Sequence, residues 1–174
     1  MLFSSTFFLF FFLPLLLLLY YRFVTEHSKR NRLLLAFSLV FYAWGEPLFV
    51  FIMALCIAAN YFFALKIESY QDRGRTRLML VLMLVFNLAL LAVFKYAGFI
   101  TQNINSLLSL DLSVPEIALP IGISFFTFQG ISYVIDVHRK KAEAFKNPLD
   151  VGLYISFFPQ LIAGPIVRYE TIAK

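Results

Sequence analysis

Charge is what this sequence has least of. Asp, Glu, Lys and Arg make up 14% of its 174 residues, against roughly a quarter in soluble globular domains. Cysteine is nearly absent too. Cys56 is the only one, and it lies inside an apolar run, which excludes a disulfide framework and a cysteine metal site. There are two histidines, His27 and His138. No HExxH, P-loop, GxSxG or GxGxxG string is present, so no reaction can be read from a catalytic signature. The net charge of +5 raises nucleic acid as a partner. The basic segments, however, lack the interleaved aromatics of a stacking platform, and nucleic acid is set aside.

What fills the space left by charge is apolar. The hydrophobic fraction is 61% and the mean hydropathy +0.81. A soluble chain of this length would have to expose large apolar patches to carry that composition, whereas lipid accommodates it. Leu2–Tyr21 is twenty residues without a charge, about 30 Å as a helix and matched to the hydrocarbon core. No basic start precedes it, so it reads as a retained anchor rather than a cleaved signal peptide. Leu33–Leu65 is interrupted by Trp44-Gly45-Glu46-Pro47. That punctuation predicts a short helix to about Ala43, a turn, and a fuller helix over Leu48–Leu65. Leu78–Phe94 reads as a further span ending at Lys95 and Tyr96. Gly98–Glu116 reads as an exterior loop or a short interfacial helix.

Two later segments are less regular. Ile117–Ile135 holds Pro120, Gly122, Thr127, Gln129 and Gly130, and Val151–Val167 holds Pro159, Gln160, Gly164 and Pro165. Irregular backbone at membrane depth is tolerated where protein or a water-filled cavity receives its polar groups. Both segments are therefore expected to be broken, re-entrant and cavity-lining.

The basic residues supply orientation. Arg22–Arg32, Lys66–Arg77 and Val137–Pro148 carry four each, twelve of the fifteen in the chain, while Gly45–Pro47 and Gly98–Glu116 carry none. Alternating spans put all three basic segments on one side. The positive-inside rule makes that side cytoplasmic and the amino terminus external, with about five or six spans. Among polar residues at membrane depth, Asn60 and Asn87 are expected to form interhelical hydrogen bonds. Gln129 and Gln160, in the irregular segments, are candidates for lining a substrate path. His27 is expected to be solvated. Asp136 is expected to pair with Arg139 or Lys140 at helical spacing.

Four strings occur in order: FYAWGEP (Phe41–Pro47), FKYAGF (Phe94–Phe99), LPIGISFFTFQGISYVIDVHR (Leu119–Arg139) and YISFFPQLIAGPIVRY (Tyr154–Tyr169). Together they resemble the amino-terminal part of the membrane-bound O-acyltransferase (MBOAT) family, and its bacterial alginate O-acetyltransferase branch most closely. The resemblance covers the whole chain but less than half of the family's usual length. It implies an all-α, polytopic transmembrane protein with short and broken helices. Residues 1–174 would form a single transmembrane region, part of a larger domain in the bacterial inner membrane.

The implied activity is transfer of an acyl group, acetyl above all, to hydroxyls of an extracytoplasmic polysaccharide. The donor is acetyl-CoA or another acyl carrier, taken as co-substrate with no bound cofactor or metal. The implied partners are the bilayer, the rest of its own chain, a periplasmic or extracellular acetyltransferase and the polysaccharide acceptor. The family's catalytic histidine lies beyond the equivalent of Lys174. Neither His27 nor His138 matches its motif, so this stretch alone is expected to be inactive. Residues matching family strings are Ser124, Phe125, Gln129 and Tyr133 in one segment, and Pro159, Gln160, Gly164, Pro165 and Arg168 in the other. They are expected to be scaffold or tunnel lining. Arg168 would bind an anionic donor group or cap a helix end. The competing reading is a non-catalytic membrane scaffold or transporter component of a glycan-export system.

Overall fold

The computed structural model describes residues 5–24, 26–108, 110, 113–114, 117–164 and 169–172. Among them every regular element is a helix. The first helix is α1 (Leu13–Leu18) with a π-helical turn on either side, Phe8–Phe12 and Leu19–Phe23. Then come α2 (His27–Gly45), α3 (Val50–Ser69) and α4 (Arg73–Leu91), which runs through a π-helical turn (Ala92–Tyr96) into α5 (Ala97–Leu108). After an irregular stretch follow α6 (Ile123–His138), α7 (Pro148–Ser156), α8 (Phe158–Ala163) and α9 (Tyr169–Ile172).

Among the described residues two helices are long and apolar enough to cross a membrane: Val50–Ser69 and the continuous Arg73–Leu108 of 36 residues. Phe8–Arg22 is a shorter apolar helix. At 1.5 Å per residue Arg73–Leu108 is about 54 Å long, well beyond a hydrocarbon core of roughly 30 Å. The helix therefore does not end at Lys95. It passes that lysine in a π-helical turn, where Lys95 reaches across to Ser124 (Nζ to Oγ 3.4 Å). Large apolar side chains point outward along this bundle, among them Phe10 at 78%, Phe51 at 74% and Val85 at 58% exposed. That is the distribution expected of a chain whose solvent is lipid.

The turn expected at Trp44–Pro47 is present and joins α2 to α3. Its first arm is nevertheless a full 19 residues, because α2 begins at His27. The basic segments are therefore mostly helix ends rather than loops. Lys29, Arg30 and Arg32 ride the start of α2, Lys66 the end of α3, and Arg73, Arg75 and Arg77 the start of α4. Asp72 caps α4, accepting from the N–H groups of Gly74 (3.3 Å) and Arg75 (3.1 Å), as an acidic N-cap does. All three basic segments gather at one end of the bundle. Asn31 touches Asp150 (3.4 Å), Tyr61 reaches the Lys146 carbonyl (2.9 Å), and Glu68 pairs with Lys146 (2.6 Å).

The core sits between α3, α4 and α6. Asn60 and Asn87 exchange amide hydrogen bonds across α3 and α4, at 3.1 Å and 3.0 Å. Each also donates to a carbonyl one turn back, Asn60 to Cys56 (2.8 Å) and Asn87 to Met83 (2.9 Å). Both side chains are fully buried and engage all their amide hydrogens, as a polar pair in an apolar core requires. Gly130 of α6 lies directly over this pair. A Cβ there would stand 2.5 Å from Asn60 Nδ2 and 2.8 Å from Asn60 Cγ.

Gly130 thus does not break its segment. Ile117–Ile135 resolves into an irregular entry and then the unbroken α6. The break is confined to Pro120–Ile123, where the Ile123 N–H donates to the Pro120 carbonyl (3.2 Å) and Gly122 takes φ 77°. A turn with positive φ at its third residue calls for glycine.

A smaller second cluster holds the first helix on. Phe8, Phe12 and Leu16 form one stripe of it and pack with Phe41 of α2 and Phe158 of α8. The ring pairs between helices are edge-on or tilted, with Phe12–Phe158 at 5.9 Å and 88° and Phe41–Phe158 at 5.1 Å. These are the arrangements that aromatic quadrupoles favour.

Candidate functional site

The second irregular segment is broken, and the cause is local. Asn147 caps α7, accepting from the Leu149 N–H (3.1 Å), and Pro148 occupies its first turn. Eleven residues later Pro159 cannot continue that helix, having no N–H for the carbonyl four residues back and a ring that collides with it. The chain opens at Phe157 (φ −55°, ψ 108°) and restarts as α8 with Pro159 in its first turn. The Phe157 carbonyl accepts from Gln160 and Leu161 (3.0 Å each). Ser38 of α2 accepts from the Phe158 N–H at the junction (3.3 Å) in a buried setting.

That restart aims Gln160 at α6. Gln129, 2% exposed, donates from Nε2 to Gln160 Oε1 (3.2 Å). Gln129 Oε1 is buried with no hydrogen-bond partner, as are Thr127 Oγ1 and Tyr42 OH. An unsatisfied buried acceptor is destabilising by about 1–3 kcal/mol. The orphaned oxygen of Gln129 is therefore set to accept from a hydroxyl or a water. Gln160 also lines an open groove of about 430 Å³ with Asn31, Leu34, Asp150, Tyr154 and Phe157.

Other residues expected at the site go elsewhere. Tyr133 is fully buried at the far end of α6. Its hydroxyl accepts from the Phe145 N–H (3.1 Å), and its ring meets Tyr169 edge-on at 4.8 Å. It anchors the 139–147 loop. Ser124 sits at the opposite end of α6 beneath Lys95. Phe125 points outward at 37% exposure. Pro159 is half-buried, and Gly164 follows α8 as its C-cap. Pro165 and Arg168 lie outside the described residues. Of the nine candidates, then, Gln129 and Gln160 are in direct hydrogen-bond contact. His27 is exposed. His138 lines a separate basic groove. Among the described residues no group of three His, Cys, Asp or Glu could hold a metal ion.

The curated proteins this chain resembles carry one kind of chemistry in their names. It is 41% identical to the "Probable alginate O-acetylase AlgI" of Pseudomonas aeruginosa, over 82% of this chain and 28% of that one. Against the protein of the same name from Azotobacter vinelandii it is 41% identical, over 82% of this chain and 30% of the relative. It is 36% identical to the "Peptidoglycan O-acetyltransferase" of Helicobacter pylori, over 76% of this chain and 30% of the relative. The chain is a homologue of these O-acetyltransferases. It spans less than a third of the length of each. No protein-family model and no solved structure matches it.

Sequence reasoning missed three residues that shape this region. Ser38 was inconspicuous because a serine in an apolar helix ordinarily bonds its own turn. Glu68 and Tyr61 stand in the second half of α3 and reach the 139–147 loop, a pairing across about eighty residues that no local pattern encodes.

Proposed function

We propose that this chain is part of a multi-spanning membrane O-acyltransferase of the MBOAT type, which moves an acetyl group from a cytoplasmic donor to a hydroxyl of an extracytoplasmic polysaccharide. The observation that carries the reading is identity near 40% to alginate O-acetylases over most of the chain. The clustering of the three basic segments at one end of the bundle supports a cytoplasmic face there, with the amino terminus outside. In the reaction, the acceptor oxygen bonds to the donor's carbonyl carbon and the bond to the carrier's sulfur or oxygen breaks. The acceptor proton leaves through a general base to the departing carrier.

This chain's own contribution is the wall. Gln129 and Gln160, locked together at the α7–α8 break, offer an acceptor for a polar group entering the membrane interior. The base is assigned to the remainder of the longer protein. Expressed by itself, this chain is expected to enter membranes and to transfer no labelled acetyl group to polysaccharide. Transfer by the 174-residue chain alone would refute that division of labour. In the longer protein, Gln129→Leu is expected to lower acetylation while leaving membrane insertion unchanged; full activity would remove Gln129 from the path.

A further inference from the structure

At the basic end, the end of α3, the start of α4 and the end of α6 enclose an open groove of about 1190 Å³. Arg73, Arg77, His138, Lys140 and Lys141 line it, together with Glu68 and Glu143. Glu68 is already committed to Lys146 (2.6 Å) and the Ala144 N–H (2.8 Å). Among the described residues Arg73, Arg77 and Lys140 have no ion-pair partner.

The backbone around Lys140 is unusual. α6 ends in a Schellman motif, with the Lys140 N–H on the Val137 carbonyl (2.9 Å) and the Lys141 N–H on the Asp136 carbonyl (3.0 Å). The residue at its left-handed position is Lys140, φ 56°, where glycine is the usual occupant. Strain of this kind persists where surrounding structure holds it, and it gathers at ligand-binding positions. Here the surroundings are explicit. The 139–147 loop is pinned by Glu68, by Tyr61 on the Lys146 carbonyl (2.9 Å), by Tyr133 on Phe145 and by Tyr169 on the Glu143 carbonyl (2.6 Å).

The groove also opens onto an apolar surface. Val81 and Leu88 lie one and three turns along α4 from Arg77, on nearly the same face. They are 47% and 53% exposed, and Val85 beside them is 58% exposed. A cationic pocket continuous with an exposed apolar helix face matches a molecule with an anionic head and a long hydrocarbon tail. We propose that this groove binds the phosphodiester headgroup of an anionic phospholipid, with Arg73, Arg77 and Lys140 around the phosphate and the acyl chains along Val81, Val85 and Leu88. The inference rests on the membrane reading above, and basic pockets on the cytoplasmic side are suited to such headgroups.

The test is thermal unfolding of the full chain in neutral detergent, titrated with phosphatidylglycerol, phosphatidylcholine or inorganic phosphate. Phosphatidylglycerol is expected to raise the midpoint saturably, and the other two to leave it unchanged. Arg73→Gln and Arg77→Gln are each expected to weaken the phosphatidylglycerol effect about fivefold, the value of one cation near a lipid surface. Lys140→Gly is the sharper variant: it should raise the lipid-free midpoint, because glycine relieves the left-handed backbone, and still weaken lipid binding severalfold. Equal stabilisation by phosphatidylcholine would overturn the headgroup assignment. Equal stabilisation by inorganic phosphate would make this a soluble-anion site and overturn the lipid. A Lys140→Gly chain with undiminished lipid response would overturn the role of Lys140. Extraction of the chain from membranes by alkaline carbonate would instead refute the membrane reading itself, which separates the two failures.

Discussion

Replacing Gly130 by alanine sets two opposed effects against each other. In a helix interior, alanine is ordinarily better than glycine by about 0.8–1.0 kcal/mol. At position 130 the new methyl would stand 2.5 Å from Asn60 Nδ2, 2.8 Å from Cγ and 3.2 Å from Oδ1. The whole amide plane of Asn60 therefore has to move. It is held by the Cys56 carbonyl and by the reciprocal pair with Asn87, so moving it forfeits the pair. Overpacking a tight core typically costs about 1–3 kcal/mol, and interhelical side-chain bonds in membranes average about 0.6 kcal/mol each. The net expectation for Gly130→Ala is destabilisation of about 1–2 kcal/mol once the propensity gain is subtracted. In an Asn60→Ala background there is no amide to displace, and the same substitution is expected to stabilise by up to about 1 kcal/mol. The coupling between the two positions, about 2 kcal/mol, is the quantity to measure by a double-mutant cycle of detergent-solubilised unfolding. A Gly130→Ala effect identical in the two backgrounds would refute the account of why α6 approaches α3 there.

Three further outcomes follow from contacts described above. Ser38→Ala removes the acceptor facing the Phe158 N–H and is expected to destabilise by about 1 kcal/mol, read as a lower unfolding midpoint; Ser38→Thr should retain most of it. Glu68→Ala releases the Ala144 N–H and Lys146, and faster amide exchange at Ala144 and Phe145 should report the loosened loop. The hydrogen bond from Lys146 to Glu68 holds that lysine's pKa above its ordinary 10.5. Glu68, for its part, is held below the ordinary 4.5, so the pair's contribution is complete between about pH 4.5 and 10.5, fading as pH rises through the lysine's higher folded value and as pH falls through the glutamate's lower one. The gap between wild type and Glu68→Ala should accordingly be widest near neutrality and narrow in both strong alkali and strong acid. Cysteines placed at Gln71 and Ser106, in a Cys56→Ala background, should react with impermeant reagents from opposite sides of a sealed vesicle; reaction from the same side would reverse the topology.

How much of this was legible in the residues varied with the range of the interaction. Asn60 and Asn87 were each readable as making an interhelical hydrogen bond, because an amide in an apolar helix has few other partners; that they bond to each other was not. The α2–α3 turn and the α7–α8 break were readable from Glu46-Pro47 and Pro159, whose effects are local. Gly130 was misread. A glycine between Gln129 and Ser132 carries the same signal whether it breaks a helix or lets a neighbouring helix close in, and only the position of Asn60 decides. The end of α4 was misread for a related reason. Lys95 and Tyr96 look like the end of a helix, but the helix runs past them to Leu108. The meeting of Gln129 with Gln160 follows from the restart angle of α8, which Pro159 permits without specifying.

The aromatic cluster that fastens the first helix has a consequence in time. Phe8 and Phe12 can find Phe41 soon after α2 is made, but Phe158 completes the box. About 120 residues separate Phe41 from Phe158, so at roughly 5–20 residues per second the box waits about 6–24 seconds for its last wall. During that interval the first helix has its ring contacts to α2 and lacks those to Phe158. The growing chain can therefore slide or rotate that helix in the bilayer until translation delivers the phenylalanine that locks it.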